Sequence, residues 1–354
     1  MAKTTLRSVR FLCLLLLASL LGYGSAQTPS LARAEKPPDA PEEWKRLVGI
    51  YGSGPQSVIL LEREQKLFWH RDPPKGAAEL PEWPIQVLTD HSLKVDTGSA
   101  KNIRLVTYEG AAAGVTKLIV SGVTLPRADA GTNPANFFHV TLKKPWAQIR
   151  NEAMKENPPA EVAPFRKPDL VELATLDPAI HLDIRYAQFN NFLGVPVYTQ
   201  AKAYMQRPAA EALLRALNEL RRLGYGLLIH DAYRPWYVSK IFWDATPPKD
   251  RIFVADPKKG SKHNRGCAAD LTLYDLATGK AIEMPGLYDE MSPRSFPQFP
   301  GGTSLQRWHR DLLRHAMEHQ GFTVDENEWW HFDYKDWKHY PILNARFEDL
   351  HQAN

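Results

Sequence analysis

The apolar residues of this chain change their spacing once, and that change restricts it to two different layered structures in succession. From Trp44 to Pro145 they fall in short or alternating runs: Ser57 to Leu61, Lys66 to Trp69, Ile85 to Leu88, Ile103 to Tyr108 and Lys117 to Ser121, separated by Gly, Pro and Asp. Such runs predict a small all-β barrel or sandwich over residues 43–145. Beyond Asp169 the spacing becomes helical. Leu213, Leu214, Leu217, Leu220 and Leu223 share a stripe, with Pro208 early and Gly224 just after, which predicts a helix over 207–223. A second helix is expected from Ser304 to Gln320, with Leu305, Trp308, Leu312 and Met317 on one face and Gly321 as its stop. Strands are expected at Tyr225 to His230, Ala268 to Leu273 and Glu328 to Tyr334. The mixture predicts an α+β domain over 169–354, helices packed on a mostly antiparallel sheet, with 146–168 as a linker or linking helix.

At the N-terminus, Lys3, Arg7 and Arg10 precede an apolar run from Phe11 to Leu21 and the small residues Gly24, Ser25 and Ala26. This reads as a signal peptide over 1–26, cleaved after Ala26, because the run is shorter than the roughly 20 residues a membrane span needs. The mature protein is therefore expected to be exported, periplasmic or secreted, with no stable membrane span. Residues 27–42, rich in Pro, Ala and charge, read as a tether, with order beginning near Trp44. Signal removal leaves Cys267 as the single cysteine, which excludes an internal disulfide. Its neighbours Ala268 and Ala269 suggest a small buried position rather than a nucleophile. The 44 Lys and Arg are nearly balanced by 40 Asp and Glu and form no basic stripe, so no nucleic-acid partner is expected.

Three late segments concentrate the chemistry: Asp231-Ala-Tyr-Arg-Pro235, Ser261 to Asp270, and Glu328-Trp-Trp-His331. A hydrolytic zinc site needs three protein ligands and one open position, and two His with one carboxylate is a known solution. His263, Asp270 and His331 supply that set for one Zn2+ per chain, and Glu328 is the nearby carboxylate that could take a proton from the attacking water. Singly, each has a plainer reading: a loop histidine, a turn carboxylate, a polar residue among aromatics. His70, His91 and His139 lack metal-site spacing and read as surface or capping residues.

In order and spacing the three segments resemble the VanX-type D-alanyl-D-alanine dipeptidases, zinc D,D-peptidases of the hedgehog/D-Ala-D-Ala carboxypeptidase-like fold. Ser-x-His-x-x-Gly-x-Ala-x-Asp is met by Ser261, His263, Gly266, Ala268 and Asp270, Glu-x-x-His by Glu328 and His331, and Asp-x-Tyr-Arg-Pro by Asp231 to Pro235. Asp183 to Tyr186 and Asn190 to Gly194 resemble the early segment, so the likeness runs from about Asp169 to the C-terminus. The resemblance implies His263, Asp270 and His331 as zinc ligands, Glu328 as general base, and Arg234 as the group stabilising the transition state, with an ion pair to Asp231 as the plainer role for Arg234. Asp289 resembles a loop carboxylate that meets the ammonium of a small D,D-dipeptide, and Ser261 would bond substrate or orient a ligand. Cys267 and Ala232 depart from the family's usual residues but are small.

The front domain is absent from the minimal family. Its opening, Leu47 to Tyr51, resembles the accessory β domain of some serine β-lactamase-like proteins, and contact with peptidoglycan is one role for it. Two rival readings remain open: a D,D-carboxypeptidase that trims terminal D-Ala from peptidoglycan stems, and a non-enzymatic zinc protein that binds cell wall or a partner.

Overall fold

The computed structural model describes residues 35–71, 81–88, 91–98, 104–111, 114–129 and 139–350. The expected signal peptide, and the tether as far as Ala34, lie outside them. After helix α1 (Glu42–Leu47) come β1 (Gly49–Tyr51), β2 (Val58–Arg63), β3 (Lys66–His70), β4 (Trp83–Val87), β5 (Ser92–Val95), β6 (Arg104–Ala111), β7 (Gly114–Val120) and β8 (Val123–Pro126). Each pairs antiparallel with the next. The chain leaving β8 then returns to β1: the Gly52 amide donates to the Pro126 carbonyl at 2.7 Å and the Ala128 amide to Ile50 at 2.8 Å. The meander thus nearly closes, which leaves few exposed strand edges. Its alternating inward residues, Leu60, Leu67, Trp69, Leu93, Val95, Val106 and Leu118 among them, form one apolar core.

The segment expected as a linker carries α2 (Trp146–Ala153), whose Ile149 and Ala153 are buried. Further along, Glu161 meets Arg265 at 2.5 Å. There follow β9 (Leu170–Glu172), β10 (Ile180–Leu182), β11 (Tyr204–Gln206), α3 (Arg207–Arg221), β12 (Tyr225–Asp231), α4 (Trp236–Ala245), β13 (Ala268–Asp275), α5 (Ser304–His319), β14 (Phe322–Val324), β15 (His331–Tyr334) and α6 (Phe347–Leu350). Five strands make one sheet in the order β10-β12-β13-β15-β14, antiparallel except for the β10–β12 pair. β9 and β11 form a separate ribbon.

Helices α3 and α5 pack on each other, α3 against β12 and α5 against β13 and β14. α3 begins with Pro208 and gives way to Gly224, whose φ of +87° needs no Cβ. α5 opens on a capping box: the Thr303 hydroxyl accepts from the Gln306 amide at 3.1 Å, and the Gln306 side chain accepts from the Thr303 amide at 2.9 Å. Along β13, Ala269, Leu271 and Leu273 share one face, and Asp270 and Thr272 share the other. The first set meets the helices; the second lines cavities walled by loops.

One expected boundary moves. The strand predicted from Glu328 begins only at His331, because Glu328 to Trp330 turn so that the Trp329 amide donates to the Ser295 carbonyl at 2.8 Å and the His331 amide to Glu328 at 3.3 Å. Among the described residues no helix is long and apolar enough to cross a membrane.

Leu271 is fully buried on the helix face of β13. Leu271→Ala is expected to lower stability by about 2–5 kcal/mol, since the well-packed surroundings collapse only partly into the vacated space. Urea unfolding followed by circular dichroism measures the loss; a change below about 1 kcal/mol would contradict the packing described.

Candidate active site

Sheet register brings the first site residues together. Asp231 at the end of β12 faces Asp270 on β13, and Asp270 faces His331 at the start of β15. His263 arrives on the short 3-10 turn before β13, which ends at Gly266 with φ of +67°. A Cβ on Gly266 would also stand 2.5 Å from the Leu170 side chain. Both backbone sign and space therefore require glycine at this place in the motif. The result is a triangle of atoms: His263 Nε2 and His331 Nδ1 are 3.0 Å apart, His263 Nε2 and Asp270 Oδ1 3.2 Å, and His331 Nδ1 and Asp270 Oδ1 3.1 Å.

The hydrogen bonds on the far side of each ring decide what those atoms carry. His263 Nδ1 lies 2.6 Å from the Ala232 carbonyl, an acceptor only, so the proton sits on Nδ1 and the lone pair on Nε2. His331 Nε2 lies 2.9 Å from Asp333 Oδ1, which places its proton there and its lone pair on Nδ1. Two imidazole nitrogens and a carboxylate oxygen thus point at one another. Metal ligands about 2.0 to 2.1 Å from a tetrahedral ion lie roughly 3.3 Å from each other, close to the separations found. The donor set fits a divalent cation, and these three buried residues form one of the groups able to hold one.

The remaining charges lie around a cavity of about 210 Å³. Its lining includes the carboxyl groups of Asp270, Asp289, Asp325 and Glu328 and the cations Arg234 and Lys262. Arg234 is buried, its Nε donating to Asp231 Oδ2 at 2.8 Å and its Nη2 3.5 Å from Asp270 Oδ2. Phe242 and Tyr186 lie beneath its guanidinium, with ring centres 4.7 and 5.5 Å away. The ion pair with Asp231 and the place in the cleft therefore coexist. Burial opposes that charge, but Asp231 and the other neighbours hold the guanidinium well above its ordinary pKa. Asp231 is fixed by the Tyr198 hydroxyl at 2.8 Å, and Asp270 Oδ2 accepts from Tyr288 at 3.1 Å.

Glu328 stands with Oε2 3.7 Å from His331 Nδ1, and burial pushes its carboxyl well above the ordinary range. Asp289 is raised to about 8, first by burial and then by Asp270. One of its oxygens accepts from the Tyr186 hydroxyl at 2.9 Å, while Oδ2 is buried with no hydrogen-bond partner among the described residues. Ser261 lines the same cavity, and its hydroxyl accepts from the His263 amide at 3.2 Å, which fixes the turn carrying that ligand candidate. All seven residues singled out from the sequence thus line or border one cleft. Of the Pro- and Gly-rich stretch 284–302, only Asp289 and Met291 line this cavity.

Asp333, Tyr186 and Tyr288 escaped the sequence reading. Asp333 had a signal, since it lies two residues after His331 on one strand and so on the same face. The two tyrosines had none, because hydroxyls reach a site only through tertiary contacts. Cys267 is fully buried, and burial first of all raises its thiol to about 12, in keeping with packing rather than chemistry.

A buried cleft with three converging lone pairs, an adjacent carboxylate and a guanidinium is the equipment of a metal-dependent hydrolase. Comparison with known proteins narrows that class. Residues 166–352 match the Peptidase_M15 family, described as D-ala-D-ala dipeptidase. The chain is 35% identical over 179 residues to the D-alanyl-D-alanine dipeptidase of Escherichia coli (strain K12), covering 51% of this chain and 91% of that protein. It is 34% identical over 194 residues to the D-alanyl-D-alanine dipeptidase of Enterococcus faecium, covering 49% and 95%. A dipeptidase of the same name from Enterococcus faecalis (strain ATCC 700802 / V583) is 35% identical over 193 residues, covering 49% and 95%. The chain belongs to this peptidase family.

Two measurements test the site as described. Asp333→Ala, which removes the acceptor that fixes the His331 ring, is expected to weaken metal binding about 10- to 100-fold in a competition titration; unchanged affinity would contradict the assigned tautomer. A thiol reagent at pH 8 is expected to leave Cys267 unmodified in the folded protein and to label it after denaturation, as read by peptide mapping. Rapid labelling of the native state would contradict its burial.

Proposed function

We propose that the protein hydrolyses D-alanyl-D-alanine with one zinc ion held by His263, Asp270 and His331, and that it acts outside the cytoplasm. When bound, the ion polarises the scissile carbonyl and lowers the pKa of water beside it. Glu328, kept proton-avid by burial, accepts the proton of the attacking water and passes it to the departing amine. Arg234, aimed into the cleft by Asp231, donates to the carbonyl oxygen as negative charge develops there, a contact that strengthens in the transition state. Export rests on the basic and apolar N-terminal sequence.

The observation that carries the dipeptide reading is Asp289 Oδ2, a buried oxygen with no hydrogen-bond partner among the described residues, in the same cavity as the three converging donors. A substrate ammonium supplies the missing partner, and burial strengthens that pairing. A carboxypeptidase acting on long stems presents an acylated nitrogen there, which brings no charge for Asp289 to meet. Release of D-alanine from D-alanyl-D-alanine should disappear on chelation and return with zinc, whereas an N-acylated tripeptide ending in D-Ala-D-Ala should remain intact. Cleavage of the blocked peptide alone would overturn the assignment. Glu328→Ala should retain zinc yet lose at least about a hundredfold in kcat; a metal-loaded variant with full activity would remove Glu328 from the mechanism.

A further inference from the structure

The loop that carries Asp289 is fastened to the β meander in three places. Arg294 Nη1 lies 3.4 Å from Oδ1 of Asp129, just beyond β8, and both side chains are almost wholly buried. Phe299 is buried among Ile50, Ile59 and Leu61, with Phe68 against them. The Glu62 amide donates to the Gly302 carbonyl at 3.2 Å, its carboxylate accepts from the Ser304 amide at 2.6 Å, and its carbonyl accepts from Arg307 at 2.7 Å.

Arg294 also meets the loop itself through the same Nη1. Its Nη1 lies 3.5 Å from Glu290 Oε1, and its Nε donates to the Pro285 carbonyl at 2.8 Å. Glu290 accepts from the Leu287 amide at 2.9 Å and the Ser292 hydroxyl at 2.8 Å. The neck of the loop is tight: a Cβ on Gly286 would stand 2.5 Å from the Arg294 carbonyl oxygen. Asp289, inside this frame, has φ of +58°, a conformation that non-glycine residues leave when nothing enforces it.

We propose that the β meander serves amine recognition: Asp129, acting through Arg294 and Glu290, is a positioning residue that holds Asp289 where the substrate ammonium binds. This rests on the dipeptidase reading above. Loss of the Asp129 charge weakens two pairs at a buried site, with Arg127 at 2.8 Å and with Arg294 at 3.4 Å, so the loop repacks. Asp289 then relaxes away from its left-handed geometry. The triangle of His263, Asp270 and His331, together with Glu328, lies on other segments, joined to this loop through Tyr288 and the Ser295 carbonyl, so the largest cost falls on capture of the substrate.

The test uses the full-length, zinc-loaded protein carrying Asp129→Asn, which keeps an acceptor for its neighbours but removes the charge. Hydrogen exchange at residues 287–295 should quicken, and KM for D-alanyl-D-alanine should rise about tenfold. Zinc affinity and kcat should each change by less than KM does. Asp129→Glu should restore KM. Arg294→Gln breaks the same pair from the other side and replaces Asp129→Asn if that variant fails to fold. Unchanged exchange, unchanged KM, or a loss confined to kcat overturns the proposal. If the wild-type protein leaves the dipeptide intact, the functional reading fails on its own, and exchange in the loop alone decides whether Asp129 holds it.

Discussion

Two imidazole nitrogens and a carboxylate oxygen held 3.0–3.2 Å apart need a proton or a cation among them, and the surrounding structure fixes where each points. The Ala232 carbonyl and Asp333 clamp the far edges of the two rings. Tyr288 and Arg234 hold the second oxygen of Asp270. Each clamp comes from a different segment, so the geometry depends on the whole second sheet being formed. Metal binding and folding should consequently reinforce each other.

Charge explains why the cleft has two cation-seeking places rather than one. Around His263, Asp270 and His331 a divalent ion offsets the buried negative potential. At Asp289 the Tyr186 hydroxyl satisfies one oxygen, and the other has no hydrogen-bond partner among the described residues. A site prepared this way gains selectivity from the unmet need of a buried polar group, which a ligand lacking the matching donor leaves unrelieved. The loop bearing that carboxylate packs on a module outside the matched family span.

Much of this was legible before any coordinates. The helical stripe from Leu213 to Leu220 and the alternating runs around Leu60 and Leu118 declared themselves because burial imposes a period on sequence. The convergence of His263, Asp270 and His331 was legible because these residue types are rare in that spacing. β1, β5 and β8, with three or four residues each, are too short to display a period. Glu328 was placed on a strand because its aromatic neighbours look strand-like, whereas the amide of Trp329 is drawn to Ser295, far away in the chain. The links from Asp129 to Arg294 and from Glu62 to Ser304 join residues more than a hundred positions apart, and no local pattern announces such pairs.

The convergence of three donors is the claim on which the rest stands, and X-ray absorption at the zinc edge tests it directly on the zinc-loaded protein. The account predicts a first shell of nitrogen and oxygen only, with the multiple scattering of two imidazoles. A sulfur scatterer from Cys267, or the signature of fewer than two imidazoles, would contradict it.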